Sequence, residues 1–136
     1  MKKLKLAVLA LIFFAGASYG QAKSAGWAEQ KTFHSFMAGT FHPAEEGNLT
    51  PLKEKADSLA ISAKLWAASP VPEDYKPAET AAALKKLVEQ CNHISAKVKA
   101  GASDADLTKM ITDAHDTFHK IAGECKKTNE HEGHNH

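Results

Sequence analysis

Two histidines four residues apart are the strongest chemical signal in this sequence of 136 residues. His115 and His119 stand at i and i+4 of a segment with helical periodicity, so both side chains project from one side of the helix. Two imidazole nitrogens on one helix face can chelate a single ion, and imidazole suits zinc, copper, iron and nickel. The pair predicts a transition-metal site, and solvated boundary histidines are the alternative.

A second group of candidate ligands lies on the first predicted helix, where His34 and Met37 are one turn apart. In a bundle whose first and last helices are neighbours, His34 lies at nearly the height of the pair on the last helix. We therefore expect the imidazoles of His34, His115 and His119 to converge on one ion. The Met37 thioether is a candidate fourth ligand, although core packing is an equally ordinary use for this side chain.

The remaining histidines fall into three places. His42 ends the first predicted helix beside two glutamates and is another candidate fourth ligand, or part of a separate site. His93 points away from the apolar stripe of its helix, so we expect it to face solvent. The tail 128–136 is polar and is predicted to be disordered, and His-rich tracts of this kind bind Cu(II), Ni(II) or Zn(II) weakly. Its histidines are His131, His134 and His136.

Four segments of helical periodicity must position these side chains. They are predicted over Trp27 to His42, Pro51 to Ser69, Pro77 to Lys99, and about Ser103 to Cys125. Pro43 is expected to stop the first helix, Thr50 to cap the second, and Ser103 with Asp106 to cap the fourth. Helices of similar length with short links predict an all-α fold, an up-down-up-down antiparallel four-helix bundle over residues 21–127.

The amino terminus has the order of an export signal. Three lysines precede an apolar run from Leu6 to Ala15, and small residues follow up to Gly20. The run is shorter than the roughly 20 apolar residues that span a bilayer, so we expect residues 1–20 to be cleaved and no membrane contact to remain. The predicted location is the periplasm or the outside of the cell.

The charge and the composition exclude several classes of function. The chain after residue 20 carries 14 lysines, no arginine and 16 acidic residues, a formal charge of −2, so nucleic acid is not an expected partner. It has no Ser/His/Asp order, glycine-rich phosphate loop or paired catalytic carboxylates, so we do not expect an enzyme. Ile61 and Leu65 fall on the far side of the second helix, a pattern that also allows a homodimer.

Two cysteines in an exported chain invite a disulfide, but the helix geometry disfavours one. In a hairpin of the third and fourth helices, Cys91 and Cys125 differ in height by ~20 Å. A disulfide needs Cα atoms within ~7 Å. We therefore predict no bond between these two residues and interpret Cys91 as a small buried hydrophobe.

The end of the fourth helix resembles a known family. Residues Gly123 to Asn129 are similar to the end of cytochrome c-prime, an exported four-helix bundle in which Cys-Lys-x-Cys-His holds haem covalently; here Thr128 and Asn129 replace the second Cys and the His. The chain also resembles the soluble b-type cytochrome bundle, in which a Met of the first helix and a His of the last hold haem noncovalently. That resemblance implies Met37 and His119 as haem ligands in an electron-transfer protein.

Three functions follow from these patterns. The one we favour is binding of a copper or zinc ion through His34, His115 and His119, with Met37 or His42 as a fourth ligand. The first alternative is noncovalent haem binding through Met37 and His119. The second is a metal-free bundle with a structural or partner-binding role.

Overall fold

The computed structural model describes residues 26–127, which form a four-helix bundle. Its helices are α1 (Ala28–Glu45), α2 (Thr50–Ala68), α3 (Pro77–Lys99) and α4 (Asp104–His119), and a π-helical turn, Lys120–Glu124, continues α4. Each helix packs on the next one in the chain, and α1 also packs on α4. The predicted export signal and the His-rich tail lie outside the described residues.

The connections carry little further secondary structure within this part of the chain. An isolated antiparallel bridge joins Tyr75, in the link between α2 and α3, to Lys126. Among residues 26–127, no helix is both long enough and apolar enough to cross a membrane. The all-helical prediction is confirmed for this region.

The end of α1 differs from the prediction. The helix continues through Pro43 to Glu45, so the expectation that it stops at His42 was wrong. Proline lacks the N–H that continues the helix ladder, and the helix nevertheless runs two residues past it. The last turn is instead closed from beyond it, because the N–H groups of Glu46 and Asn48 donate to the Pro43 carbonyl at 3.0 and 2.9 Å. Gly47, at φ +87°, then lets the chain turn away.

The other helix ends follow local capping chemistry. α3 has the predicted bounds, and Gly101 adopts φ +80° just beyond it. At the start of α4, the Ser103 hydroxyl accepts from the Asp106 N–H at 3.1 Å, as predicted. Thr50 is not the cap of α2, since the helix begins at Thr50 itself. The N–H of Thr50 donates to the Asn48 side chain.

α4 is shorter than predicted. Its α-helical hydrogen bonds end at His119, and the next turn is π-helical, closed by a bond of 3.1 Å from the Cys125 N–H to the Lys120 carbonyl. The wider turn still buries Ile121 and Cys125. The change of helix type comes directly after the second histidine of the pair, so it leaves the i, i+4 spacing of that pair intact.

The core is a continuous apolar cluster that receives side chains from all four helices. An aromatic group lies at the end where α1 begins, and the Trp27 indole there donates to the Ser69 hydroxyl at 2.9 Å. Leu59 and Trp66 of α2 are fully buried, whereas Ile61 and Leu65 of the same helix are 58% and 59% exposed. The predicted division of α2 into a core face and an outward strip is confirmed.

Both cysteines are free and buried. Burial raises the pKa of the Cys91 thiol to about 12, so this side chain packs as an apolar group rather than as a reactive thiolate. The prediction that Cys91 and Cys125 do not form a disulfide with each other is confirmed.

Two leucines of α2 provide a matched test of the packing. We expect Leu59→Ala to lower the free energy of unfolding by about 2–5 kcal/mol, because it opens a cavity among fully buried neighbours. The same change at Leu65 should stay within about 0.5 kcal/mol, because that side chain already meets solvent. Urea unfolding followed by circular dichroism measures both variants, and equal losses would contradict the packing described.

Candidate metal centre

The two histidines of α4 form a close pair. The Nε2 atoms of His115 and His119 are 3.2 Å apart, with the His119 ring exposed and the His115 ring partly buried. Two nitrogens that each lie ~2.0–2.1 Å from a tetrahedral zinc ion are themselves ~3.3 Å apart. The observed separation therefore suits chelation of one ion. Without metal, the same distance allows one Nε2–H to donate to the other nitrogen.

An aromatic ring of α1 holds the first histidine in place. The rings of Phe41 and His115 are stacked, with centroids 3.7 Å apart and planes inclined by 9°. Phe41 is itself buried, so its face offers a fixed platform. The stack limits the rotation of the His115 imidazole, and the two rings of the pair meet edge to face at 4.4 Å. Two candidate ligands are thereby held in a fixed arrangement on one helix.

Burial favours the neutral, metal-binding form of His115. Its pKa is lowered from the ordinary value, first because burial disfavours the charged ring and next because a charge on His119 repels it. Asp116 and Glu45 act in the opposite direction, and His42 adds to the lowering. A metal ligand must be unprotonated, so His115 stays available to a lower pH than a solvated histidine.

His42 lies beside this pair at the end of α1. Its ring centroid is 5.5 Å from that of Phe41, the residue that stacks on His115. The His42 Nδ1 is 3.5 Å from Oε1 of Glu45, and both side chains are exposed. His42 and His115 thus both contact Phe41.

His34 and Met37 occupy other surroundings. The His34 ring stacks on Phe118 at 5.0 Å and 18°, and the His119 ring also contacts Phe118, with centroids 5.4 Å apart. Met37 is fully buried in the core. Within residues 26–127, no three or more His, Cys, Asp or Glu side chains are grouped closely enough to hold one ion. The structure brings together His115 and His119, and it groups neither His34 nor His42 with them around one position.

The residues that would line a haem slot already pack on one another. The ring centroid of Phe33 lies 5.4 Å from that of Trp66 and 5.9 Å from that of Phe118. Phe33, Met37 and Trp66 are fully buried, whereas His119 faces solvent. A porphyrin held between Met37 and His119 would have to displace these rings from the core.

Two residues near the pair were not predicted from the sequence as part of the site. Phe41 is an apolar residue of the first predicted helix, and Glu45 lies beyond the predicted end of that helix at His42. Helix periodicity indicates that Phe41 lies on the same face of α1 as His34, because the two residues are seven positions apart. Glu45 was missed because Pro43 was expected to end the helix before it.

No protein family model, curated protein or solved structure matches the chain. The cytochrome resemblance therefore stays a prediction, and the function is inferred from the residues and their arrangement.

The electrostatics of the pair are testable by NMR. We expect His115 to titrate below the ordinary histidine pKa, and His119→Gln to raise its pKa by removing a neighbouring positive charge. His93→Gln, on an exposed face of α3, is the matched control and should leave His115 unchanged. Ring-proton shifts recorded against pH measure each value. An ordinary His115 pKa that His119→Gln does not move would contradict the described pair.

Proposed function

We propose that this chain is an exported four-helix-bundle protein that binds a copper or zinc ion, with His115 and His119 as the rigid half of the site. The separation of 3.2 Å between their Nε2 atoms carries the proposal, because it matches two ligands of one ion. A further ligand comes from α1, on which His34 and His42 are the predicted candidates. Ions such as calcium, which prefer oxygen ligands, do not suit two imidazoles.

We infer that the helices run up-down-up-down, each antiparallel to the next. Contacts between α1 and α4 support this order, since Phe33, early in α1, meets Phe118 late in α4, while Phe41 meets His115 further back. The links between successive helices are short, as in bundles of this topology. In this arrangement His34 and His42 lie on opposite sides of the histidine pair.

The nature of the ion follows from the ligands within reach. Neutral imidazole nitrogen binds zinc and copper, whereas thioether sulfur favours Cu(I). The one thioether predicted as a ligand, Met37, is fully buried, so it joins the site only if the core rearranges. Zn(II) and Cu(II) are therefore the ions that the pair suits best, and the role we propose is binding or handling of the metal rather than catalysis.

Export places the site in a compartment where it meets metal ions from outside the cell. The charged, apolar and small-residue order of residues 1–20 supports a cleaved signal. We expect chain purified from the periplasm or the medium to begin at Gln21. Intact-mass measurement and amino-terminal sequencing test this expectation, and a purified chain that retains Met1 would contradict it.

A metal-free bundle that binds a partner is the second candidate. The outward side chains of Ile61 and Leu65 favour it, because they place two large apolar groups next to each other on α2. In this alternative the partner is a second copy of the chain, joined through α2. A mature chain that retains no metal at micromolar concentration but forms a dimer would favour this candidate.

Metal retention tests the proposed function directly. We expect the mature chain, purified without an added affinity tag, to bind Zn²⁺ in competition with a chelating dye. The double variant His115→Ala/His119→Ala lacks both proposed ligands. Its zinc affinity should fall by more than the roughly 10–100-fold loss that follows removal of a residue that only orients a ligand. His93→Ala, at an exposed position of α3, should bind as the unmodified chain does.

The His-rich tail needs its own control in that experiment. Deletion of residues 128–136 removes three histidines and should leave the tighter binding site intact. Zinc binding that disappears with the tail and survives loss of both His115 and His119 would contradict a site in the bundle.

A further inference from the structure

The contact between Phe41 and His115 determines which end of α1 faces the histidine pair. Their rings are stacked at 3.7 Å, and the next residue along α1 is His42, whose ring lies 5.5 Å from that of Phe41. His34 instead stacks on Phe118, whose ring also contacts His119. The two α1 candidates therefore lie near different members of the pair, His42 near His115 and His34 near His119.

The direction of helical side chains favours His42. Every Cα–Cβ bond tilts toward the amino end of its own helix. Because α1 and α4 run in opposite directions in the proposed bundle, the side chains of His115 and His119 lean toward the end where α1 terminates. His42 leans back from that end toward them, whereas His34 leans away from them.

Charge effects agree with this placement. His42 and Glu45 are among the groups whose charges act on His115, and His34 is not. Both side chains of the α1 end are more than half exposed, His42 at 65% and Glu45 at 53%. Exposed side chains exchange rotamers readily, and His42 needs such a change to reach an ion held by the pair, since the structure does not group it with the pair.

The neighbour of His42 supplies an orienting carboxylate. Oε1 of Glu45 is 3.5 Å from Nδ1 of His42, and a small rotation of either exposed side chain brings them to hydrogen-bond distance. A histidine that binds metal through one ring nitrogen usually donates the N–H of the other to a carboxylate or carbonyl. With its Nδ1–H directed at Glu45, His42 presents the unprotonated Nε2 outward.

We propose that the end of α1 completes the metal site: His42 binds the ion through Nε2 as the third protein ligand, and Glu45 positions His42 by accepting its Nδ1–H. This inference rests on the proposed function, since it extends the His115–His119 site. Three imidazoles leave a fourth tetrahedral position open for water or an exchanging ligand. Such an open shell suits a protein that takes up and passes on zinc or Cu(II).

Four single variants of the mature chain test this assignment with Zn²⁺ as the probe. We expect His42→Ala and Glu45→Ala each to weaken zinc binding by about 10–100-fold. His34→Ala tests the competing assignment to the other α1 histidine, and Glu46→Ala, which removes the adjacent exposed carboxylate, is the matched control. With His42 as the ligand, both variants stay within about twofold of the unmodified chain, well below the loss expected for a supporting residue.

The positioning role of Glu45 has a separate spectroscopic readout. In the zinc-loaded chain, ¹⁵N-correlated NMR of the histidine rings should show His42 protonated at Nδ1 and metal-bound at Nε2. Glu45→Ala should reduce the population of this form, and Glu45→Gln should restore part of it, because the amide oxygen still accepts the Nδ1–H. A role of Glu45 in folding alone would leave the ring tautomer unchanged.

The outcomes separate this inference from the proposed function. Zinc binding that is unchanged in His42→Ala and Glu45→Ala, but lost in His115→Ala with His119→Ala, overturns the assignment to α1 and retains the pair. A loss in His34→Ala in place of His42→Ala also overturns it. A mature chain that binds no Zn²⁺ overturns the proposed function and, with it, this extension.

Discussion

The stacking of Phe41 on His115 is the contact on which the geometry of the candidate site depends. It joins α1 to α4, holds one imidazole of the pair in a fixed plane and excludes water from one face of that ring. Burial, to which this contact contributes, is also the first cause that lowers the pKa of His115. One packing interaction therefore orients the His115 ring and favours its neutral form.

The aromatic side chains of the bundle core support this contact. Phe33 and Trp66 pack on each other and on Phe118, so the aromatic core extends up to the surface on which the histidines stand. His34 lies against Phe118 of that group and His115 lies against Phe41 of α1, both at the border between core and solvent. Rigid support on one side and open solvent on the other is the arrangement that a metal site needs to be preorganised and still accessible.

Local patterns in the sequence predicted the parts of the molecule that depend on one helix. The bounds of α3, the burial of Cys91 and the outward strip of Ile61 and Leu65 follow from periodicity and end signals alone. The close approach of His115 and His119 is also local, since i, i+4 neighbours on a helix face each other in any fold. These features needed no knowledge of how the helices pack.

Features that depend on two helices could not be predicted in the same way. A convergence of His34 with the pair required the stagger of α1 against α4 to be known within about one turn, and packing of Phe33, Phe41 and Phe118 decides that stagger. The last turn of α1 was not predicted because it contains Pro43. The hydrogen bonds that close this turn come from residues beyond the helix. The sequence places Glu45 close to His42, but the separation of 3.5 Å between Oε1 of Glu45 and Nδ1 of His42 depends on that last helical turn.

The most direct test of a metal site on α4 is the position of the ion itself. Anomalous diffraction at the zinc absorption edge, from crystals of the mature chain grown with Zn²⁺, locates each bound ion without reference to the protein. We predict a peak between His115 and His119, ~2.0–2.1 Å from the Nε2 atom of each. A fully occupied zinc peak elsewhere in the molecule, with none between these two rings, would contradict the account.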